Sequence, residues 1–221
     1  MADKNQQETG PADRPQQRGN RFDEAAAKWD DNPRRRQLSE AIAVAIRRAI
    51  PLQKGWRVLE YGCGTATLGL LLAPYVLEVV AADSSVGMIE QVRRKLSGSA
   101  TTNLTPMLLD LSQQPPPAER FNLTVTAMAM HHVADIQQVL TRLGDMLSDD
   151  GWLAIADLCQ EDGSFHESIT VPHNGFAPDA LAGTVARCVP GACCQWQVIH
   201  TVTKNDRQYE VFLLTAHRAR G

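Results

Sequence analysis

The sequence predicts an α/β protein built on an open, mostly parallel sheet with helices on both faces. Three observations carry this. Five apolar runs of strand length between Arg57 and Leu158 alternate with segments of helical period. The run Phe121–Met128 is continuously apolar rather than alternating, which suits a central strand covered on both faces. Two further strand segments, Trp196–Lys204 and Gln208–Ala216, close the chain around Asn205-Asp206, a hairpin turn pair.

The first run, Arg57–Tyr61, breaks into Gly62-Cys63-Gly64 and opens a helix over Ala66–Ala73, closed by Pro74. Glycines spaced by one residue make a tight turn that lets backbone approach a ligand at the strand's carboxyl end. Glu60 stands at the last position of that strand. A carboxylate aimed into the crevice suits a cationic or amino-bearing ligand and repels a pyrophosphate. The second strand, Val76–Asp83, ends in an acid spaced to accept both hydroxyls of a ribose. Ser84-Ser85 then leads a helix to Leu96, with Met88, Ile89 and Val92 inward. The third strand, Leu104–Leu109, runs into Asp110-Leu111. Three consecutive strands thus end in acids, and the glycine turn follows the first.

The remaining elements follow from turn and cap signals. Asn32-Pro33 starts a helix whose Leu38, Ile42, Ile46 and Ala49 share a face, and Pro51 ends it. Asp135 with Gln138 forms a capping-box pattern ahead of Val139, Leu140, Leu143 and Met146. Asp149-Asp150-Gly151 reads as a turn before a fifth strand, Trp152–Leu158. The stretch Cys159–Ala177 is too long for a simple connection, and Pro178 opens a helix after it. The Arg34-Arg35-Arg36 run reads as a solvated face.

These motifs resemble the class I S-adenosylmethionine-dependent methyltransferases. The resemblance lies in Val58-Leu59-Glu60-Tyr61-Gly62-Cys63-Gly64-Thr65-Ala66, Ala82-Asp83-Ser84-Ser85-Val86-Gly87-Met88, Leu109-Asp110-Leu111 and Met130-His131-His132-Val133-Ala134-Asp135. It implies a Rossmann-like fold with seven strands in the order 3-2-1-4-5-7-6, strand 7 antiparallel. It implies S-adenosylmethionine as cofactor, held by Glu60, Gly62, Gly64, Asp83, Ser84, Met88, Asp110, Leu111 and Met128. In such enzymes the glycine turn cradles the amino-acid end, Asp83 takes the ribose, Asp110 the adenine amino group, and Met88 packs on the base. Ala66 departs from the family, which often has a third glycine there. A branched side chain at Gly62 is expected to fill the turn and block binding while the chain still folds.

Composition narrows the partners. The chain has 221 residues, a formal net charge of −3 and 43% hydrophobic residues, an ordinary globular balance. That charge argues against a nucleic-acid partner, as does Ala127-Met128-Ala129-Met130 in place of the Asn/Asp-Pro-Pro-aromatic turn of amino-directed nucleic-acid methyltransferases. No stretch is apolar for long enough to span a membrane. Five scattered cysteines and no secretory leader predict a cytoplasmic protein with free thiols. The expected organisation is a disordered polar tail over 1–19, helices over 20–50 capping the cofactor cleft, and the methyltransferase domain over 51–221.

On the acceptor side, His132 is the candidate catalytic base, at the carboxyl end of the fourth strand. Phe22, Trp29, His131, His166, His173 and Phe176 are the candidates for binding a small-molecule substrate. Capping or cofactor lining is the alternative for the histidine pair, and core anchoring for Phe22 and Trp29. The long loop reads as a polar lid, and no metal is assigned. His166 and His173 with His132 would supply three imidazoles. Two rival functions remain: a non-catalytic S-adenosylmethionine-binding module, and a nicotinamide-dependent oxidoreductase, against which Glu60 and Asp110 both count.

Overall fold

The computed structural model of the chain describes residues 21–166 and 169–219, so the expected polar tail over 1–19 lies outside the described residues. The strands are β1 Arg57–Tyr61, β2 Glu78–Asp83, β3 Leu104–Leu108, β4 Phe121–Ala127, β5 Leu147–Leu158, β6 Ala192–Lys204 and β7 Arg207–Arg218. They form one sheet in the order β3-β2-β1-β4-β5-β7-β6. The first five strands in that order pair in parallel, and β7 runs antiparallel to both β5 and β6. This is the order and strand sense that the resemblance implied.

Successive residues of each strand face opposite layers. Val58, Val79, Leu123 and Ala154 pack under α2 (Pro33–Ala49), α3 (Thr67–Leu72) and α4 (Val86–Ser97). Leu59, Val80, Phe121 and Leu153 pack under α5 (Ile136–Asp145) and α6 (Pro178–Cys188). Buried side chains thus cover both faces of the central strands, which is why those strands read as unbroken apolar runs. Asn32 caps α2 by accepting from Arg34 N at 3.0 Å, with Pro33 at the first helical position.

Local signals shift some boundaries. The turn expected at Asp149-Asp150-Gly151 lies inside β5. Asp150 takes a φ of 64°, and the β4–β5 register slips between Phe121 and Leu123, so the extra residues bulge out without ending the strand. The terminal hairpin turns at Asn205 and Asp206, whose φ values of 51° and 56° are those of a two-residue primed turn. The leading helix divides into α1 (Arg21–Ala25) and a 3₁₀ turn (Ala26–Asp31). Cys193 lies exposed and Cys194 half-buried on β6, and all five cysteines are free.

Phe176, expected at the substrate, is instead a core residue. It is buried with Leu181, Val185 and Phe212, and its backbone is tied to β5 through Phe176 N–Leu158 O at 2.9 Å. Its ring pins the long loop to the α6 layer. Phe176→Ala should therefore cost about 3–5 kcal/mol of stability, read as a lower urea midpoint. A raised acceptor KM with an unmoved midpoint would return Phe176 to the substrate wall.

Candidate active site

The parallel strands bring their carboxyl ends to one edge. From β1 the chain crosses to β2 and β3, and only then returns to β4 beside β1. The crevice between β1 and β4 is the place where such sheets bind ligands. Gly62 and Ala129 face each other across it. Gly62 has a φ of 70°, and a Cβ on it would lie 2.5 Å from Ala129 Cβ. A side chain at Gly62 would therefore strain the fold itself. The expectation that a Gly62→Val chain folds and merely fails to bind is corrected on this ground. Met128, at the exit of β4, holds a φ of 53°, a conformation costly for a side-chain-bearing residue and concentrated at functional bends.

Each of the three strand-end acids has a backbone partner. Glu60 is buried, and its Oε2 accepts from Gly69 N at 2.9 Å, in the first turn of α3. The N-cap of that helix, Ala66, is left-handed (φ 58°) and offers no side-chain cap, so Glu60 fills that role. The left-handed φ is the physical reason for a glycine preference at position 66. Burial pushes the Glu60 carboxyl up to about 8 against the opposing effect of the Gly69 hydrogen bond. Asp83 is also buried. Its Oδ2 accepts from Gly64 N at 2.7 Å and its Oδ1 from Ser85 N at 2.9 Å, and burial raises its carboxyl. Asp110 is half-buried and accepts from Ser112 N at 2.8 Å. Leu111 is fully buried, with its N–H donated to the Tyr61 hydroxyl at 3.2 Å.

Ser84 is exposed, and the buried hydroxyl is that of Ser85. Ser85 Oγ caps α4 by accepting from Met88 N at 3.1 Å, which leaves the Met88 side chain fully buried beneath the turn.

A strap formed by α1 and the 3₁₀ turn crosses this edge from end to end. Asp23 Oδ1 accepts from Ser85 Oγ at 2.5 Å and from Gly87 N at 2.8 Å, at the amino end of α4. Gly87 permits the approach, since a Cβ there would lie 2.8 Å from Asp23 Cα. Trp29 lies over Gly64, where a Cβ would come within 3.4 Å of its Nε1. Asp30 accepts from Thr65 Oγ1 at 2.6 Å and pairs with Lys95 at 2.7 Å. Phe22 meets Trp29 and His132 edge-on, with ring centroids 6.0 and 5.3 Å away. Arg35, from the arginine run, stacks on Trp29 at 3.7 Å and donates to its carbonyl. Asp23, Asp30, Ser85 and Lys95 escaped the sequence reading, because only the fold brings residues so distant in the chain together.

At the ends of β4 and β5 three imidazoles converge. His131 is buried, with Nδ1 2.6 Å from Oδ1 of Asp157, itself fully buried. His132 Nδ1 accepts from Arg21 Nη2 at 2.8 Å. His166 lies beside both, with ring centroids 5.0 and 5.3 Å from His131 and His132. His173 stands apart, with Nε2 on Val133 O at 3.0 Å, fastening the long loop. Burial, then the neighbouring rings and Arg21, push His132 down to about 3. Its Nδ1 lone pair is engaged and its basicity is low, which counts against the general-base role expected of it.

Residues 34–201 match the family model described as "Methyltransferase domain". The chain belongs to this methyltransferase family. It is 27% identical over 145 residues to an uncharacterized methyltransferase of Schizosaccharomyces pombe, covering 58% of this chain and 51% of that protein. It is 37% identical over 84 residues to a demethylmenaquinone methyltransferase of a Parafrankia strain, covering 34% and 33%. The match thus spans between a third and a half of those relatives. Among solved structures, the DhpI complex with S-adenosylhomocysteine overlays with a TM-score of 0.69 at 19% identity, covering 90% of this chain and 94% of that one. The overlay shows the fold, and no described helix is long and apolar enough to cross a membrane.

The Glu60 carboxyl of this methyltransferase-family chain has a signed consequence. Its folded pKa, about 8, lies above its ordinary value of 4.5. The stability it contributes is therefore fully present below pH 4.5 and lost as pH rises through about 8. Thermal melts of ligand-free Glu60→Gln should show a shallower decline between those limits. Glutamine keeps an acceptor for Gly69 N and carries no charge to desolvate. An unaltered pH profile would refute the assignment.

Proposed function

We propose that the chain transfers the methyl group of S-adenosylmethionine to a small-molecule acceptor by in-line displacement, with the protein contributing position and exclusion of water. The strap carries this reading. It covers the glycine turn with Trp29, the amino end of α4 with Asp23 and the histidine cluster with Phe22. A cleft closed in this way suits an acceptor small enough to be enclosed. The relative named for demethylmenaquinone, a small molecule, supports the same class.

The residues fit the cofactor. Gly62 and Gly64 carry no Cβ at the turn, and each oxygen of Asp83 holds one backbone N–H and keeps a second lone pair for a ribose hydroxyl. Glu60, kept mainly neutral by burial in the ligand-free chain, ionises once the cationic amino-acid end is near and then opposes it with a negative charge. In this reading Asp110 takes the adenine amino group, which its half-buried position after β3 supports, with the buried Met88 and Leu111 as the floor. Bound, the cofactor supplies a methyl group activated by its sulfonium charge. Phe22, Trp29 and His132 wall the acceptor side, and His131 stands behind them on Asp157. Proton removal is not assigned to His132, whose basicity is too low at neutral pH.

Turnover of labelled methyl donor against a panel of metabolites is the direct test. Transfer to a small acceptor supports the reading, and transfer only to protein or nucleic acid refutes it. Asp83→Ala should weaken cofactor binding by about 2–4 kcal/mol in calorimetry. Because Asp83 also holds two backbone N–H groups, a thermal melt must show the variant folded at the titration temperature. Unchanged affinity would sink the ribose assignment. Trp29→Ala should raise the acceptor's KM and lower kcat through loss of closure. Full activity in that variant would remove the strap from the mechanism.

A further inference from the structure

We propose that His131, His132 and His166 form a mononuclear site for a divalent transition-metal ion of the zinc class, at the carboxyl ends of β4 and β5. Three of the chain's six histidines meet there. One ring nitrogen from each lies within 4.8 Å of the other two. Tetrahedral zinc with bonds of about 2.0 Å holds its imidazole nitrogens about 3.3 Å apart. The nitrogens therefore need to draw together by ~1.5 Å at most, which side-chain rotation supplies.

Two observations point to a missing ligand. His131 Nε2 and His166 Nε2 are both buried and have no hydrogen-bond partner among the described residues. Leaving two polar atoms unsatisfied so close together is costly, and a cation bound between them satisfies both. His131 is also oriented for the task. The buried Asp157 carboxylate accepts a hydrogen bond from Nδ1–H, so the lone pair stands on Nε2. A carboxylate holding the far nitrogen of an imidazole is the arrangement that fixes metal-ligating histidines.

Arg21 adds an electrostatic argument. A guanidinium only donates, so His132 Nδ1 presents a lone pair to a cation. The strap places its own positive charge against the cluster, where it competes with a metal ion. Three imidazoles with no thiolate among them suit zinc, copper, iron or nickel. Three protein ligands also leave one position open for water or for an oxygen of the acceptor. Only the acceptor's presence there rests on the methyl-transfer reading.

The full chain, stripped with a chelator, is titrated with Zn²⁺ against a chromogenic competitor, and with Co²⁺ as a spectroscopic substitute. The expected result is one equivalent bound, with the intense visible bands of tetrahedral cobalt. His166→Ala should weaken uptake at least about tenfold, and Asp157→Asn by about 10–100-fold. Arg21→Gln should strengthen it severalfold, and His200→Ala, on strand β6 and outside the cluster, should leave it unchanged. A thermal melt of each metal-free variant confirms that it is folded. Uptake below one equivalent overturns the site, as does uptake indifferent to His166→Ala or lost equally in His200→Ala. Metal uptake is read without methyl transfer, so failure of the site and failure of the proposed function are separable.

Discussion

The carboxylate of Asp83 holds the ligand edge together. It sits at the end of β2, between β1 and β3, and takes one N–H from the turn after β1 and one from the turn after β2. Backbone bonds extend the same tie. Cys63 N donates to Ala82 O at 3.0 Å, and Leu109 N donates to Asp83 O at 3.0 Å. Three loops that would otherwise move independently are thus referenced to one strand end. Burying the acid raises its pKa, and the two amide donors offset that cost. Each carboxylate oxygen still has acceptor capacity beyond its one amide, and under the proposed function that capacity meets a ribose hydroxyl without reorganisation.

The strap is built on different physics. α1 buries none of its residues, and the 3₁₀ turn buries only Ala26. Its hold is polar: Asp23 on an amide and a hydroxyl, Asp30 on Thr65 and Lys95, Arg21 on His132. Such contacts are exchanged for water at little net cost, whereas pulling a core helix exposes apolar surface. The strap is thus a segment with little apolar anchorage, and under the proposed function it is the part that opens to ligands. Arg35, stacked on Trp29, returns it to the same seat from the rigid helix α2.

The alternation of strands and helices, the glycine turn and the three acid-ended strands were legible because each is written locally, in period, turn chemistry and strand ends, whereas the sheet order came only from the family resemblance. The strap's contacts were not. Asp23 reaches Ser85, and Asp30 reaches Lys95, across more than sixty residues of chain, and no local pattern encodes that meeting. The choice between Ser84 and Ser85 turned on a single step of backbone direction at the end of β2, which left Ser84 exposed and made Ser85 the cap of α4. Phe176 was legible as a large apolar residue in a long loop. Whether such a residue faces a pocket or the core depends on the parallel bridge between Cys159 and Phe176, a long-range pairing outside the named strands.

The histidine cluster shows why position at a ligand edge does not define a chemical role. An imidazole acts as a base when its protonated form is tolerated nearby. His132 has the Arg21 guanidinium on one nitrogen and two further rings against it. His166, lowered to about 4, lies in the same crowd. Protonating either ring would bury a cation beside a cation, with Asp157 already committed to His131. His132 and His166 therefore each keep one nitrogen as a lone pair across the neutral range. Lone pairs held close together and shielded from water act on a ligand that accepts electron density from several of them at once, and they move a proton poorly. The geometry that weakens His132 as a base is the same geometry that makes the three rings a concerted donor set.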